Sequence, residues 1–181
     1  MPHLPRSPLR ISDLATRKVT EFTLTPDADE RAAVADALGI IGIKKLRFEG
    51  ELRPQGKADW VLNATLGATV VQPCVVTLDP VSTRIDEEIA RSYVAGLPEP
   101  TAGEAEMPED DSVEPLPVTL DLAEVMIEAL ALALPQYPRA DGAALGEAVF
   151  AAPGTAPMKD EDAKPFAGLA GLRESLEKKD E

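Results

Sequence analysis

Only one cysteine, Cys74, and one histidine, His3, occur among the 181 residues. A lone thiol excludes an internal disulfide, and it excludes a zinc site built from this chain's own cysteines. A nucleophile needs a base within hydrogen-bond reach, and the single imidazole sits in an N-terminal stretch expected to be mobile. The sequence neighbours of Cys74 are Gln72, Pro73 and Val75, none of which lowers a thiol pKa, so Cys74 is read as a small buried core residue. Phosphate-binding glycine loops and metal-ligand spacings are also missing. The acidic pairs Asp110-Asp111 and Glu87-Glu88 come without the glycine turn of a calcium loop. No apolar run reaches the length of a bilayer span, and the basic, proline-punctuated start lacks the apolar core of a signal peptide. These absences predict a cytoplasmic, non-enzymatic protein without cofactor, metal, membrane contact or small-molecule substrate.

What is present in excess is acid, with a net charge of −14. Its distribution matters more than its sum. Residues 1–60 carry ten Lys/Arg against nine Asp/Glu, and residues 61–98 carry two against four. Residues 99–181 carry six against nineteen, so almost all of the excess lies in the last part of the chain. The total charge is therefore a poor guide to what the folded body can touch.

Along the chain, residues 17–25 alternate well enough for a strand. Thr25-Pro26 then opens a helix, with Thr25 as N-cap, Pro26 at the first helical position and Gly39 as the stop. In the stretch 44–54, Leu46, Phe48 and Leu52 share one face, while Lys45, Arg47, Glu49, Glu51 and Arg53 share the other. That is the pattern of a half-buried strand. Pro54-Gln55-Gly56-Lys57 marks a turn and Trp60–Leu66 returns, giving a hairpin over 45–66. Between Gly67 and Arg84, β-branched runs flank Cys74 and are broken by Pro73 and Pro80. Branching at Cβ favours a pleated surface over a helix, and the prolines argue for a bend or a change of partner beside Cys74, so two strands are predicted there. Residues 80–94 form a last long strand.

Residues 96–117 hold five prolines and seven acids with no basic residue, a composition that cannot repay the entropy of ordering. A disordered acidic loop is expected over 99–117. Asp121 and Glu124 have capping-box spacing, and Leu122, Val125, Met126, Ala129, Leu130, Ala133 and Leu134 follow at helical spacing until Pro135. Beyond this helix the sequence reads as a flexible tail from 143 to 181, with a marginal amphipathic segment through Phe166, Leu169, Leu172 and Leu176. The expectation is one α+β domain over 15–142 behind a flexible leader of residues 1–14. It is a twisted antiparallel sheet of roughly five strands, with closure toward a barrel left open, covered by one main helix.

The basic residues offer the one candidate surface. Lys44, Lys45, Arg47, Arg53 and Lys57 lie on or beside the hairpin and are candidates for RNA binding. An ordinary solvated strand face explains the same pattern, because Glu49 and Glu51 lie among them. The stacking aromatics of an RNA-recognition sheet are absent, and Phe48 and Trp60 are assigned to the core.

One order of features resembles a known family. Cys74-Val75-Val76-Thr77-Leu78 with Pro80, the acidic run 99–114, Leu120-Asp121-Leu122, and Leu132-Ala133-Leu134-Pro135 with Pro138 are similar to the YceD family, the bacterial large ribosomal RNA subunit accumulation proteins. That family shows Cys-x-Arg-Cys-Leu, an acidic loop and an Asp-Leu-opened helix ending in Leu-Ala-Leu-Pro, and the resemblance spans about residues 15–142. Here Val76 replaces the Arg and Thr77 the second Cys. The resemblance implies structural motif positions at Cys74, Leu78, Pro80, Asp121 and Pro135. It also implies a non-enzymatic factor for processing or accumulation of large-subunit (23S) rRNA, acting by binding rRNA precursor or an early ribosomal protein. The alternative is an acidic adaptor that chaperones a basic ribosomal protein without touching RNA.

Overall fold

Alternation of buried and exposed residues in three long segments, cleanest over Asp59–Pro73, builds the fold. In the computed structural model, residues 3–97 and 112–144 are described. The chain divides into a compact unit, Met1–Gly142, and a second unit, Ala143–Glu181, and the elements below belong to the first. They run β1 (Pro8–Arg10), a 3-10 turn (Ile11–Asp13), β2 (Thr20–Leu24), α1 (Ala28–Ala37), β3 (Gly42–Gln55), β4 (Asp59–Pro73), β5 (Pro80–Val94), β6 (Val113–Pro115), β7 (Thr119–Asp121) and α2 (Leu122–Ala133). The sheet order is β2-β3-β4-β5-β6, antiparallel except that β6 runs parallel to β5; β1 and β7 form a separate two-stranded ribbon. The five-stranded sheet stays open, with β2 and β6 at its ends, and does not close into a barrel.

The central three strands are 14, 15 and 15 residues long. Their registers place Phe48 opposite Leu66, Leu52 opposite Leu62, Ala68 opposite Ile85 and Trp60 opposite Tyr93, so the inner face is apolar across β3 and β4, while along β5 Glu87 and Arg91 alternate with Ile85, Ile89 and Tyr93. Leu122, Val125, Met126, Ala129 and Leu130 of α2 join the same core, as do Val34 and Ala35 of α1. At roughly 1.5–3 kcal/mol for each large apolar side chain buried, this one-sided layer is the main favourable term in the fold. Arg91 fastens its margin. The guanidinium donates to Glu114 at 2.9 Å and to Glu128 at 3.0 Å, tying β5 to both β6 and α2.

Both helix starts depart in detail from expectation. The α1 N-cap is Asp27 rather than Thr25: its carboxylate accepts from the Glu30 N–H, and the Glu30 carboxylate accepts from the Asp27 N–H, both at 2.9 Å. The reciprocal pair satisfies two donors where Thr25 offered one, which shifts Pro26 out of the helix to the position before the cap. Asp121 does cap α2, accepting from the Ala123 N–H, but its other bond comes from the Ser7 N–H at 2.8 Å instead of the expected box with Glu124. That bond helps fix β1. Residues 8–14, expected within a flexible leader, are tied down: Leu9 pairs opposite Leu120, and Ile11 and Leu14 pack against the core.

The stretch around Cys74 also differs. β4 continues unbroken through Gly67 to Pro73, and Cys74–Asp79 is a turn, not a strand. The two prolines bracket that turn as a facing pair at the ends of β4 and β5, where a missing N–H costs least. The acidic loop expected over 99–117 needs a partial correction as well. Residues 98–111 lie outside the described residues, but Val113–Pro115 is β6. The Ser92 N–H donates to Ser112 O at 2.8 Å and the Leu116 N–H to Val94 O at 3.0 Å, and the partly buried Val113 and Leu116 supply enough apolar contact to order three residues on a sheet edge. The amphipathic segment expected around Phe166–Leu176 lies outside the described residues.

Candidate nucleic-acid interface

With both helices given to the core, the polar face of β3, β4 and β5 is left to solvent, and its cross-strand rows decide where charge collects. Lys45, Thr69 and Arg84 lie opposite one another in one row; Arg47, Gly67 and Asp86 form the next, and Glu49, Thr65 and Glu88 the one after. The face is thus basic at the end near the start of β3 and acidic at its centre. A register shift between Ile43 and Lys45 leaves Lys44 as the extra residue of a bulge, and its ammonium reaches Ser82 Oγ at 3.2 Å. Bulges turn a side chain out of its alternation, and this one adds a cation to the basic end.

Gly67 makes the end concave. With no side chain in the middle of its row, the surface dips into a depression of about 390 Å³ lined by Lys44, Lys45, Arg47 and Arg84 with Arg31 of α1. A Cβ on Gly67 would stand 2.9 Å from the tip of Arg84, so the guanidinium lies across the space the glycine leaves. Glu49 and Asp86 are the acids of the lining; five cations against two carboxylates leave an excess of three positive charges in a chain of net −14. Arg47 hydrogen-bonds Glu49 and Arg84 hydrogen-bonds Asp86, which holds both carboxyl groups below their usual range and both guanidinium groups above theirs. All four side chains are about half exposed, so these pairs are screened and hold their partners weakly. An incoming phosphate competes for the guanidinium groups on favourable terms. Arg31 Nη1 donates to Pro26 O at 2.7 Å, while its Nε is buried without a partner among the described residues.

The sequence candidates therefore separate. Lys44, Lys45 and Arg47 converge on the depression. Arg53 and Lys57 sit at the other end of the hairpin, eight residues of strand from Lys45 to Arg53, or about 26 Å away. Arg53 is engaged by Glu51 there. Arg84 and Arg31 were missed. Arg84 follows from strand register once β5 is paired with β4; Arg31 reaches the site from α1 and has no signal in the local pattern.

The motif positions of the Cys74 turn have a different character. Cys74 is fully buried, and its Sγ accepts N–H bonds from Val76, Thr77 and Ala140, each at 3.4 Å. Bonding from Thr77, then from the Ala140 and Val76 amides, lowers the thiol pKa to about 6 against the opposing effect of burial. Gln72, Pro73 and Val75 gave no hint of this because the donors lie further on, Thr77 foremost and the Ala140 amide 66 residues away. The turn is closed by the Cys74 N–H to Asp79 O at 2.8 Å, and the Val75 N–H to Pro138 O at 2.9 Å joins it to the segment after α2. Gln72 adds a bond to Pro135 O at 3.1 Å. Leu78 takes a left-handed backbone, φ 64°, with its side chain 74% exposed, and Pro80 starts β5. Cys74, Pro135 and Asp121 thus hold segments together, while Leu78 shapes the turn. Among the described residues no group of three His, Cys, Asp or Glu is placed to hold a metal ion. No helix among them is long and apolar enough to cross a membrane.

Residues 62–173 match the family described as Large ribosomal RNA subunit accumulation protein YceD, more than half of the chain. No curated protein and no solved structure matches the chain. The matched region begins within β4 and takes in Arg84, Cys74, Leu78, Pro80, Asp121 and Pro135; Lys44, Lys45, Arg47, Arg53 and Lys57 precede it.

Proposed function

The chain belongs to the YceD family, whose name assigns it a role in accumulation of large-subunit ribosomal RNA, and we propose that it serves this role without catalysis, by binding precursor 23S rRNA at the basic end of the open sheet face. The observation that carries the reading is the depression around Gly67, where positive charge is concentrated in an acidic protein. Phosphates that replace condensed counterions there gain entropy from ion release, and the Arg47 and Arg84 guanidinium groups offer planar forks for phosphate oxygens. No base-stacking aromatic lines the depression, so recognition rests on the backbone and its shape rather than on sequence. Lys44, Lys45 and Arg47 are the primary contacts, joined by Arg84. Arg53 and Lys57 are secondary.

The alternative, an acidic adaptor that chaperones a basic ribosomal protein, is favoured by the six-against-nineteen balance of residues 99–181. Cross-linking the full chain to RNA in cells, followed by sequencing, separates the two. Precursor 23S fragments enriched with the native chain and lost with Lys45→Glu/Arg84→Glu support direct contact. Equal recovery with the reversed pair, or recovery of protein without RNA, sinks it.

A further inference from the structure

The β5 edge carries a second surface. β6 pairs with β5 only along Ser92–Val94, so from Pro80 to Arg91 the side of β5 away from β4 has no strand partner among the described residues. Beside that open edge a groove of about 270 Å³ runs between β5 and the C-terminal half of α2. Its wall is apolar, made by Ile89, Ala129, Ala133 and Leu132, the last 79% exposed. Its rim is acidic. Glu87 and Glu88 lie along it, and the one cation, Arg91, is already shared by Glu114 and Glu128.

Charges on an edge strand are ordinarily a guard against self-pairing. A guard alone does not call for an exposed leucine over the same groove. The acids also decide which strand is admitted. A second copy would bring its own Glu87 and Glu88 against these, and like charges placed opposite each other destabilise a strand pair. A basic strand meets the opposite condition. β6 shows that the edge accepts an extended segment through its backbone, and a strand laid along Ile85–Arg91 continues the line that β6 occupies.

We propose that this edge and groove bind an extended basic segment of a protein partner by strand addition, with alternate apolar side chains over Leu132 and Ala133 on the face that carries Glu87, and the intervening Lys or Arg toward Glu88 on the opposite face. Backbone pairing supplies affinity, and the alternation supplies selectivity. The surface involves neither Arg84 nor the Gly67 depression, so it stands or falls separately from RNA binding.

The test uses the full chain and a short fluorescent peptide alternating Val and Lys, followed by anisotropy and by amide exchange read at β5. Binding is expected to be saturable and to slow exchange between Ile85 and Arg91. N-methylation of alternate peptide residues, which blocks pairing along one edge, is expected to abolish it. Glu87→Lys/Glu88→Lys is expected to weaken binding by about tenfold or more. Leu132→Ser changes an exposed side chain and leaves folding intact; a several-fold loss is expected. Equal binding of the N-methylated peptide, binding unchanged by the reversed pair, or no protection at β5 overturns the proposal. So does peptide-independent dimerisation that protects the same amides.

Discussion

Removing Lys44, Lys45 and Arg84 together, as Lys44→Ala/Lys45→Ala/Arg84→Ala, tests the basic end of the sheet through its salt dependence. If each cation neutralises one phosphate, log K falls with log salt by about 0.7 per contact on single strands and about 0.9 on duplex. Loss of three contacts then flattens the slope by about 2.1 to 2.7. Over a fourfold salt range, from about 50 to 200 mM, that difference amounts to roughly 20- to 40-fold in relative affinity, most visible at low salt. The fold is spared. Lys44 and Lys45 are exposed, and the Arg84 to Asp86 pair is a half-exposed surface pair screened by solvent and salt. The thermal midpoint is expected to move by no more than about 4 °C. The assay is anisotropy of a labelled precursor 23S fragment at a series of salt concentrations, with Arg53→Ala/Lys57→Ala as the comparison. That pair, about 26 Å away along the strand, should leave the slope nearly unchanged. An unchanged slope in the triple variant, or an equal flattening in the distant pair, refutes the assignment.

Three further outcomes follow from local geometry. Gly50→Ala places a Cβ 2.2 Å from Asn63 O and 2.6 Å from Ala64 Cα, both backbone atoms that cannot swing away; a loss of about 3 kcal/mol or more is expected by urea denaturation, and a variant as stable as the native chain would show that β3 and β4 separate freely there. Leu78→Gly removes a left-handed non-glycine at a largely exposed position and is expected to stabilise by up to ~1 kcal/mol in the same assay, with a clear loss counting against the turn geometry. Thiolate absorbance should titrate with a midpoint of about 6 in the native chain. Because the folded pKa lies below the ordinary 9.0, this group's stabilisation grows as pH rises from about 6 toward 9 and is lost on acidification through about 6. Cys74→Ser should lack that increment, and a stability difference between the two proteins that stays flat over the window would exclude a buried thiolate.

What was legible in the sequence was whatever a strand or helix period records. Leu46, Phe48 and Leu52 announced the inner face of β3, and Asp121 through Pro135 announced α2 to within a residue at its end. The errors arose where tertiary bonds outweighed local preference. Val75, Val76 and Leu78 read as strand because branched and apolar side chains suit a pleat. The chain turns there because Cys74 and Asp79 close across it and Pro138 accepts from Val75. Composition marked residues up to 117 as unable to order, yet three residues suffice when an existing strand offers its edge. The candidate interface divided in the same way. Lys45 and Arg47 were visible from alternation. Arg84 needed the β4 to β5 register, and Arg31 needed the path of α1 beside β3.

The proposed RNA contact would require an acidic protein to hold a polyanion. Lys45 and Arg84 face each other across Thr69, one row from the gap at Gly67. Their field acts over a Debye length of about 8 to 10 Å at physiological salt, so it governs contact at the depression but not approach from afar. At longer range an RNA meets the excess acid of the whole chain, which disfavours encounters that miss the depression. The same acid favours approach of a basic polypeptide, and Glu87 and Glu88 at the β5 edge lie one and three residues beyond Asp86 and Ile85 on the strand that carries Arg84. Because β5 is one continuous strand, an RNA at the depression and a basic segment at the edge would be held a few residues apart on one element. Their charges attract, so binding of either at its own site should favour the other.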